Sequence, residues 1–242
     1  MLSTTPAKAL LRQLVSIYIC YSEHPMKLVP SNEAVEQLLR EDPLRDYFTW
    51  WDRVKQSDVE ALRSALDNAT REEDIQQFLQ QNPQLLIQHL GGGHGRWVIP
   101  KKKLGNEHIT DFVIGQRSSI GFEWQAVELE SPLKPLFNKN GDPSQYLNHA
   151  IRQIQDWRSW LALNQNYAAR SIAESGLGLT DITGSVPGLI LIGRRSESLS
   201  QNNARRRQMA RDLNIEIRTY DYLVETLQGR VNAIKQHELG RI

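Results

Sequence analysis

The chain has 242 residues, 29 of them basic and 28 acidic, for a formal charge of +1. Its 40% hydrophobic and 24% charged content is that of a globular protein able to bury a core, which excludes collagen-like, coiled-coil-only and wholly disordered classes. A single cysteine, Cys20, excludes an internal disulfide and a cysteine-based zinc cluster, so a reducing, cytoplasmic setting is expected.

Near-neutral charge means that any nucleic-acid surface has to come from local clustering. The apolar stretch Leu14–Tyr21 is shorter than the roughly 20 residues of a membrane span, and Lys8 and Arg12 interrupt the run before it. No membrane contact and no targeting segment are expected.

Residues 1–68 read as a helical N-terminal region. Leu10, Leu11, Leu14, Val15, Tyr18 and Ile19 recur at spacings of three and four, which makes one apolar stripe. Pro25 and Pro30 break the chain, Ser31 caps a short helix that stops before Pro43, and Ser57–Leu66 reads as another helix. Between them Tyr47, Phe48, Trp50 and Trp51 form an aromatic knot, expected to be a packing anchor.

The texture changes at Thr70, where Thr70 and Glu73 have capping-box spacing ahead of the stripe Ile75, Phe78 and Leu79. Three strand-like pieces follow: Trp97–Pro100, Ile109–Ile114 and Phe122–Leu129, the last two paired around a turn at Gly115–Gly121. A loop at Ser131–Pro143 leads to a long helix over about Ser144–Leu163. Leu189–Ile192 and Ile215–Thr219 read as strands, and Asn203–Leu213 and Tyr220–Lys235 as helices. The class is α/β.

In the strand Phe122–Leu129 side chains alternate faces, so Phe122, Trp124, Ala126, Glu128 and, just past its end, Glu130 share one face. Asp111 joins that face if paired residue numbers sum to an odd value, a register that sequence does not fix. Three acids converging on a half-buried sheet need a compensating cation. Oxygen ligands alone favour Mg²⁺ or Mn²⁺, with Asp111, Glu128 and Glu130 as the metal candidates. The bland alternative is a pair of solvated acids at a strand end.

Asp111–Ile114, Ala126–Pro132, Pro135–Gly141, Asn148–Gln153 and Asp156–Trp160, with Arg71–Pro83 upstream and Gly188–Arg194 and Tyr220–Leu223 downstream, together resemble the Shedu family, whose members carry the "DUF4263" domain. The resemblance spans about residues 70–228 and implies two parts, the helical region 1–68 and a nuclease-like domain 69–242. Shedu proteins resemble PD-(D/E)xK nucleases, so it implies an αβββαβ core with an N-terminal helical appendage. It makes Asp111 the acid of the second core strand, Glu128 the acid before the variable residue, Gln153 the polar residue of the packed helix and Glu72 an auxiliary acid. Glu130 departs from the pattern, which has Lys there; Lys134 and Lys139 on the following loop are candidates to reach in.

The activity implied is divalent-metal-dependent DNA cleavage or nicking in prokaryotic antiphage defence, by a protein that assembles with copies of itself. The alternative, favoured by Glu130, is a degenerate nuclease fold that binds DNA or a protein partner. Arg205, Arg206 and Arg207 lie in a run of six arginines between Arg194 and Arg211 and, with Lys134, are candidate DNA-phosphate contacts; a solvated helix face is the plain alternative. Gly91–Gly95 lacks the Gly-Lys-Ser/Thr of a phosphate loop and reads as an ordinary loop, and His89, His94 and His108 are too irregularly spaced to form a metal site.

Overall fold

The structure, a computed structural model, describes residues 36, 39–40, 42–91, 94–196 and 202–240. The expected helix around Leu10–Ile19, most of the one capped by Ser31, and Gly92–Gly93 of the glycine loop lie outside the described residues. Among the described residues the α-helices with defined bounds are α1 (Gln56–Asn68), α2 (Glu72–Gln81), α3 (Gln145–Ala169), α4 (Asn203–Leu213) and α5 (Asp221–Glu238). Seven strands are β1 (Arg96–Pro100), β2 (Lys103–Leu104), β3 (His108–Ile109), β4 (Phe112–Ser118), β5 (Gly121–Leu129), β6 (Gly188–Leu191) and β7 (Ile215–Arg218).

The main sheet is mixed, in the order β1-β4-β5-β6-β7. β1, β4 and β5 run antiparallel, while β5, β6 and β7 run parallel. Period-two alternation gives each strand two apolar faces, and both are covered. Val113, Ala126, Ile190 and Ile215 pack under α3 through Ala150, Ile154, Trp157 and Leu161. Ile114, Val127, Leu189 and Leu191 pack under α1, α2 and α5. From α1 the buried Val59, Leu62 and Leu66 join that second layer, each contributing about 1.5–3 kcal/mol of burial. Trp51 is 3% exposed and lies in the same layer, with the Arg96 guanidinium 4.7 Å above its ring; Trp50 is half-buried. Among the described residues no helix is long and apolar enough to cross a membrane.

Three local details differ from the sequence expectation. The first is the α2 cap: Asp74, not Glu73, closes it, its Oδ2 accepting from Thr70 N, Thr70 Oγ1 and Arg71 N at 2.9–3.0 Å. The second is that Ile109–Ile114 is not one strand. His108–Ile109 pairs with Lys103–Leu104 in a small ribbon of its own, and β4 begins only at Phe112. The third is the hairpin turn, which is shorter than expected: Ser118 pairs with Gly121, and Gly115 lies inside β4.

Gly115 is a packing residue, not a turn residue. A Cβ there would lie 2.5 Å from the ring of Trp124, its cross-strand partner. That ring is stacked on Phe122 and donates Nε1–H to Thr180 O at 2.6 Å, so it has little freedom to retreat. Gly115→Ala is expected to cost about 1–3 kcal/mol of stability in urea unfolding. A change within about 0.5 kcal/mol would mean that the ring gives way.

Candidate active site

The two registers of β4 build one row of charge. β1 pairs with β4 so that Pro100 faces Phe112, and β4 pairs with β5 so that Phe112 faces Val127. Just beyond these pairs Lys101, Asp111 and Glu128 come together at the three strand ends, at the sheet edge between α2 and α3: Asp111 is bound by Gln76 of α2, and Glu128 by Gln153 of α3. At its neck the β2–β3 excursion is closed by backbone bonds, Lys101 N to Asp111 O at 2.9 Å and Thr110 N to Lys102 O at 3.0 Å. Lys101 takes a left-handed backbone there, φ +47°, a conformation that a non-glycine residue holds only where its surroundings enforce it.

Asp111 is buried and fully engaged. Its Oδ1 accepts from Gln76 Nε2 at 2.6 Å and Lys101 Nζ at 3.0 Å, and its Oδ2 accepts from Leu129 N at 2.8 Å. Glu128 shares a side-chain hydrogen bond with it. Two full charges about 4 Å apart repel by about 4 kcal/mol at an effective dielectric of about 20, equivalent to about three pKa units. Burial and, next, Asp111 push the Glu128 carboxyl up to about 10, so it is protonated at neutral pH and donates to Asp111. Gln153 Nε2 on α3 donates to Glu128 Oε1 and orients it.

Glu72 and Glu130 flank this pair. Glu72, in the first turn of α2, is pushed up to about 7 by burial, then by Asp111 and Glu130. Gln76 is one helical turn further along the same face. Burial also raises the Glu130 carboxyl, and the His149 imidazole works against that rise. His149 Nδ1 lies 3.3 Å from Glu130 Oε1, and the Tyr220 hydroxyl donates to the Glu130 backbone carbonyl at 2.9 Å. Lys134 reaches the Tyr146 ring, its Nζ 4.6 Å from the centroid, with Glu130 in electrostatic range; Lys139 is exposed on its loop.

The structure therefore brings Asp111, Glu128, Glu130, Glu72 and Gln153 to one edge of the sheet. Sequence reasoning missed three participants. Lys101 needed the β1–β4 register. Gln76 carried a signal, a polar side chain on the buried stripe of α2 beside Ile75 and Leu79. His149 stands one helical turn before Gln153 and had no signal of its own.

The donor set is all oxygen and short of positive charge, which fits a hard divalent cation. Among the described residues no three carboxylates or imidazoles stand ready-set around a metal-sized gap. A proton on Glu128 and the Lys101 ammonium hold the lone pairs that a cation would need.

The arginine run is divided in its roles. Arg194 pairs with Asp67 and Asp221, and Arg195 with Glu225. On α4, Arg205 Nη1 is bound to Gly141 O at 2.7 Å and Asp142 Oδ1 at 3.0 Å. Arg206 faces a pocket of about 230 Å³ with Arg195, Arg218 and Tyr222; burial, then Arg218, Arg195 and Arg207, hold its pKa below the usual guanidinium value. Arg207 is exposed. The three side chains therefore do not form one uniform phosphate-facing row. Of the glycine loop, Gly91, His94 and Gly95 lie outside helices and strands. His89 is mostly buried against Gln125 and Tyr222, a setting that lowers its pKa chiefly through burial.

No curated protein was found to match the chain. The family model described as "Shedu protein SduA, C-terminal" matches residues 69–224, from the residue before the α2 cap into the first turn of α5 and across every strand of the main sheet. The chain belongs to the Shedu SduA C-terminal family.

Proposed function

We propose that the protein is a divalent-metal-dependent DNA endonuclease that cleaves or nicks phosphodiester backbones, with Mg²⁺ or Mn²⁺ as its metal. Family membership suggests a role in antiphage defence. One observation carries the chemical reading: four acids, Glu72, Asp111, Glu128 and Glu130, are drawn into mutual repulsion at one buried sheet edge, three of them with raised pKa. A structural ion-pair network relieves charge, whereas this one concentrates it. Asp111 and Glu128 would hold the metal, with Glu72 and Glu130 in reach. When bound, it would polarise the phosphate and supply an activated water.

The chain's own residues then have separate tasks. Gln76 and the Leu129 amide fix the orientation of Asp111, and Gln153 fixes that of Glu128. The Glu130–His149 pair offers a site for proton transfer beside them. Arg206, Arg207 and Lys134 are the proposed phosphate contacts, with Arg205 holding the loop 141–142 against α4. Assembly with copies of itself is proposed from the family alone.

The test is plasmid nicking with Mg²⁺ or Mn²⁺, with EDTA and Asp111→Ala as controls. Activity is expected in wild type, absent with EDTA and down at least about 10²-fold in the variant. A second reading, a non-cleaving module that binds DNA or a protein partner, is favoured by Glu130 in the lysine position. Retained DNA binding with no cleavage in either metal would establish it over the first.

A further inference from the structure

Three donors hold Asp111: Gln76 Nε2 and Lys101 Nζ on Oδ1, and Leu129 N on Oδ2. With both oxygens engaged, a cation arriving at Asp111 competes with these donors. Leu129 N belongs to the backbone of β5, and Gln76 is buried on α2. Lys101 differs from both. Its side chain is 49% exposed, it hangs on a four-carbon stem, and among the described residues its only ion pair is with Asp111.

We propose that Lys101 is a displaceable counter-ion. Its ammonium holds Asp111 while the site lacks a divalent cation, and metal arrival at Asp111 expels it toward the solvent side, where it faces the phosphate of the bound strand. The inference rests on the metal-dependent reading above. It gives the site an ammonium from the β1–β2 turn, in place of Lys134 or Lys139 on the loop after β5. The left-handed backbone of Lys101, tied to Asp111 O through its own amide, keeps the stem rooted beside the cluster in both positions.

The experiment compares full-length wild type, Lys101→Met and Lys101→Arg by calorimetric titration with Mn²⁺ and by plasmid nicking. Met keeps the stem and loses the charge. Removing the competing ammonium is expected to tighten Mn²⁺ binding about tenfold, the smaller end of what an adjacent charge does to a carboxylate. Nicking is expected to fall at least about 10²-fold in the same variant. Arg retains a cation and is expected to return Mn²⁺ affinity to near the wild-type value, which a purely structural role would not require. Equal or weaker Mn²⁺ binding in Lys101→Met would overturn the displacement, and undiminished nicking would overturn the phosphate-facing role. A wild-type protein that binds no Mn²⁺ would instead sink the metal reading itself.

Discussion

Glu128→Gln is expected to stabilise the metal-free protein at about pH 8 while removing cleavage. The folded carboxyl titrates near 10 against an ordinary value of 4.5. Below 4.5 it is protonated in both folded and unfolded chains and costs nothing. Between 4.5 and 10 the unfolded chain releases the proton and the folded chain keeps it. Stability therefore falls as pH rises, by up to about 1.4 kcal/mol per pH unit from this group.

Glutamine is a close stand-in for the protonated acid. Its amide can still donate to Asp111 and its carbonyl can still accept from Gln153. It does not titrate, so its share of the pH slope disappears, and a gain of several kcal/mol at about pH 8 is the upper bound. Glu72 and Glu130, also raised, keep a smaller slope of the same sign. Urea unfolding in EDTA across about pH 5–9 measures this. A variant that is less stable than wild type at about pH 8, or whose slope is unchanged, would show that Glu128 is ionised in the folded protein.

Glu130 carries the second large effect. If it acts as base or metal ligand, Glu130→Gln is expected to cut nicking by about 10²-fold or more, the lower end of a general acid–base contribution. The variant also weakens the acceptor that holds His149 Nδ1. With Lys101 already on Asp111, Glu130→Lys is expected to remain below wild type, because a second ammonium would pair with the acids proposed to hold the metal. A rise in activity for Glu130→Lys would mean instead that Glu130 fills a vacated lysine position. Unchanged cleavage in Glu130→Gln would remove any catalytic role from this residue.

Much of the fold was legible because its signals are local. The Asn203–Leu213 helix has the bounds expected from its pattern. The expected end of the long helix at Leu163 marks a real break: Asn164 leaves helical geometry, φ −120° and ψ 20°, before the helix resumes. What failed was local chemistry with a tertiary cause. Gly115 has the signature of a turn, and only the Trp124 ring lying over it explains why it sits in a strand. Asp74 outcompetes Glu73 as the α2 cap because its shorter side chain meets three donors at once.

The site was legible to the same depth. Parity alone placed Glu128 and Glu130 on one face, but Asp111 needed the β4–β5 register and Lys101 needed the β1–β4 register as well. Each register depends on a turn that sequence misplaced, Gly115–Gly121 in one case and the β2–β3 ribbon in the other. Glu130–His149 joins a strand to a helix beyond the loop after β5, a distance that no periodicity spans.

The row of Lys101, Asp111 and Glu128 also bears on misfolding. A slip of one residue in the β4–β5 pairing turns the slipped strand over and sends its acid into the apolar layer beneath α1, α2 and α5, beside Phe112 or Val127 and Leu129. There a slipped acid would leave behind Lys101 and the Leu129 amide, or Gln153, and a carboxylate left without its partners in such a layer costs several kcal/mol. The same residues that make the native edge uncomfortable make the neighbouring alignment far worse. Charge held at the end of the hairpin thus acts as a ratchet on strand alignment, and a chain stripped of these acids to gain stability would lose part of its protection against pairing one residue out of step.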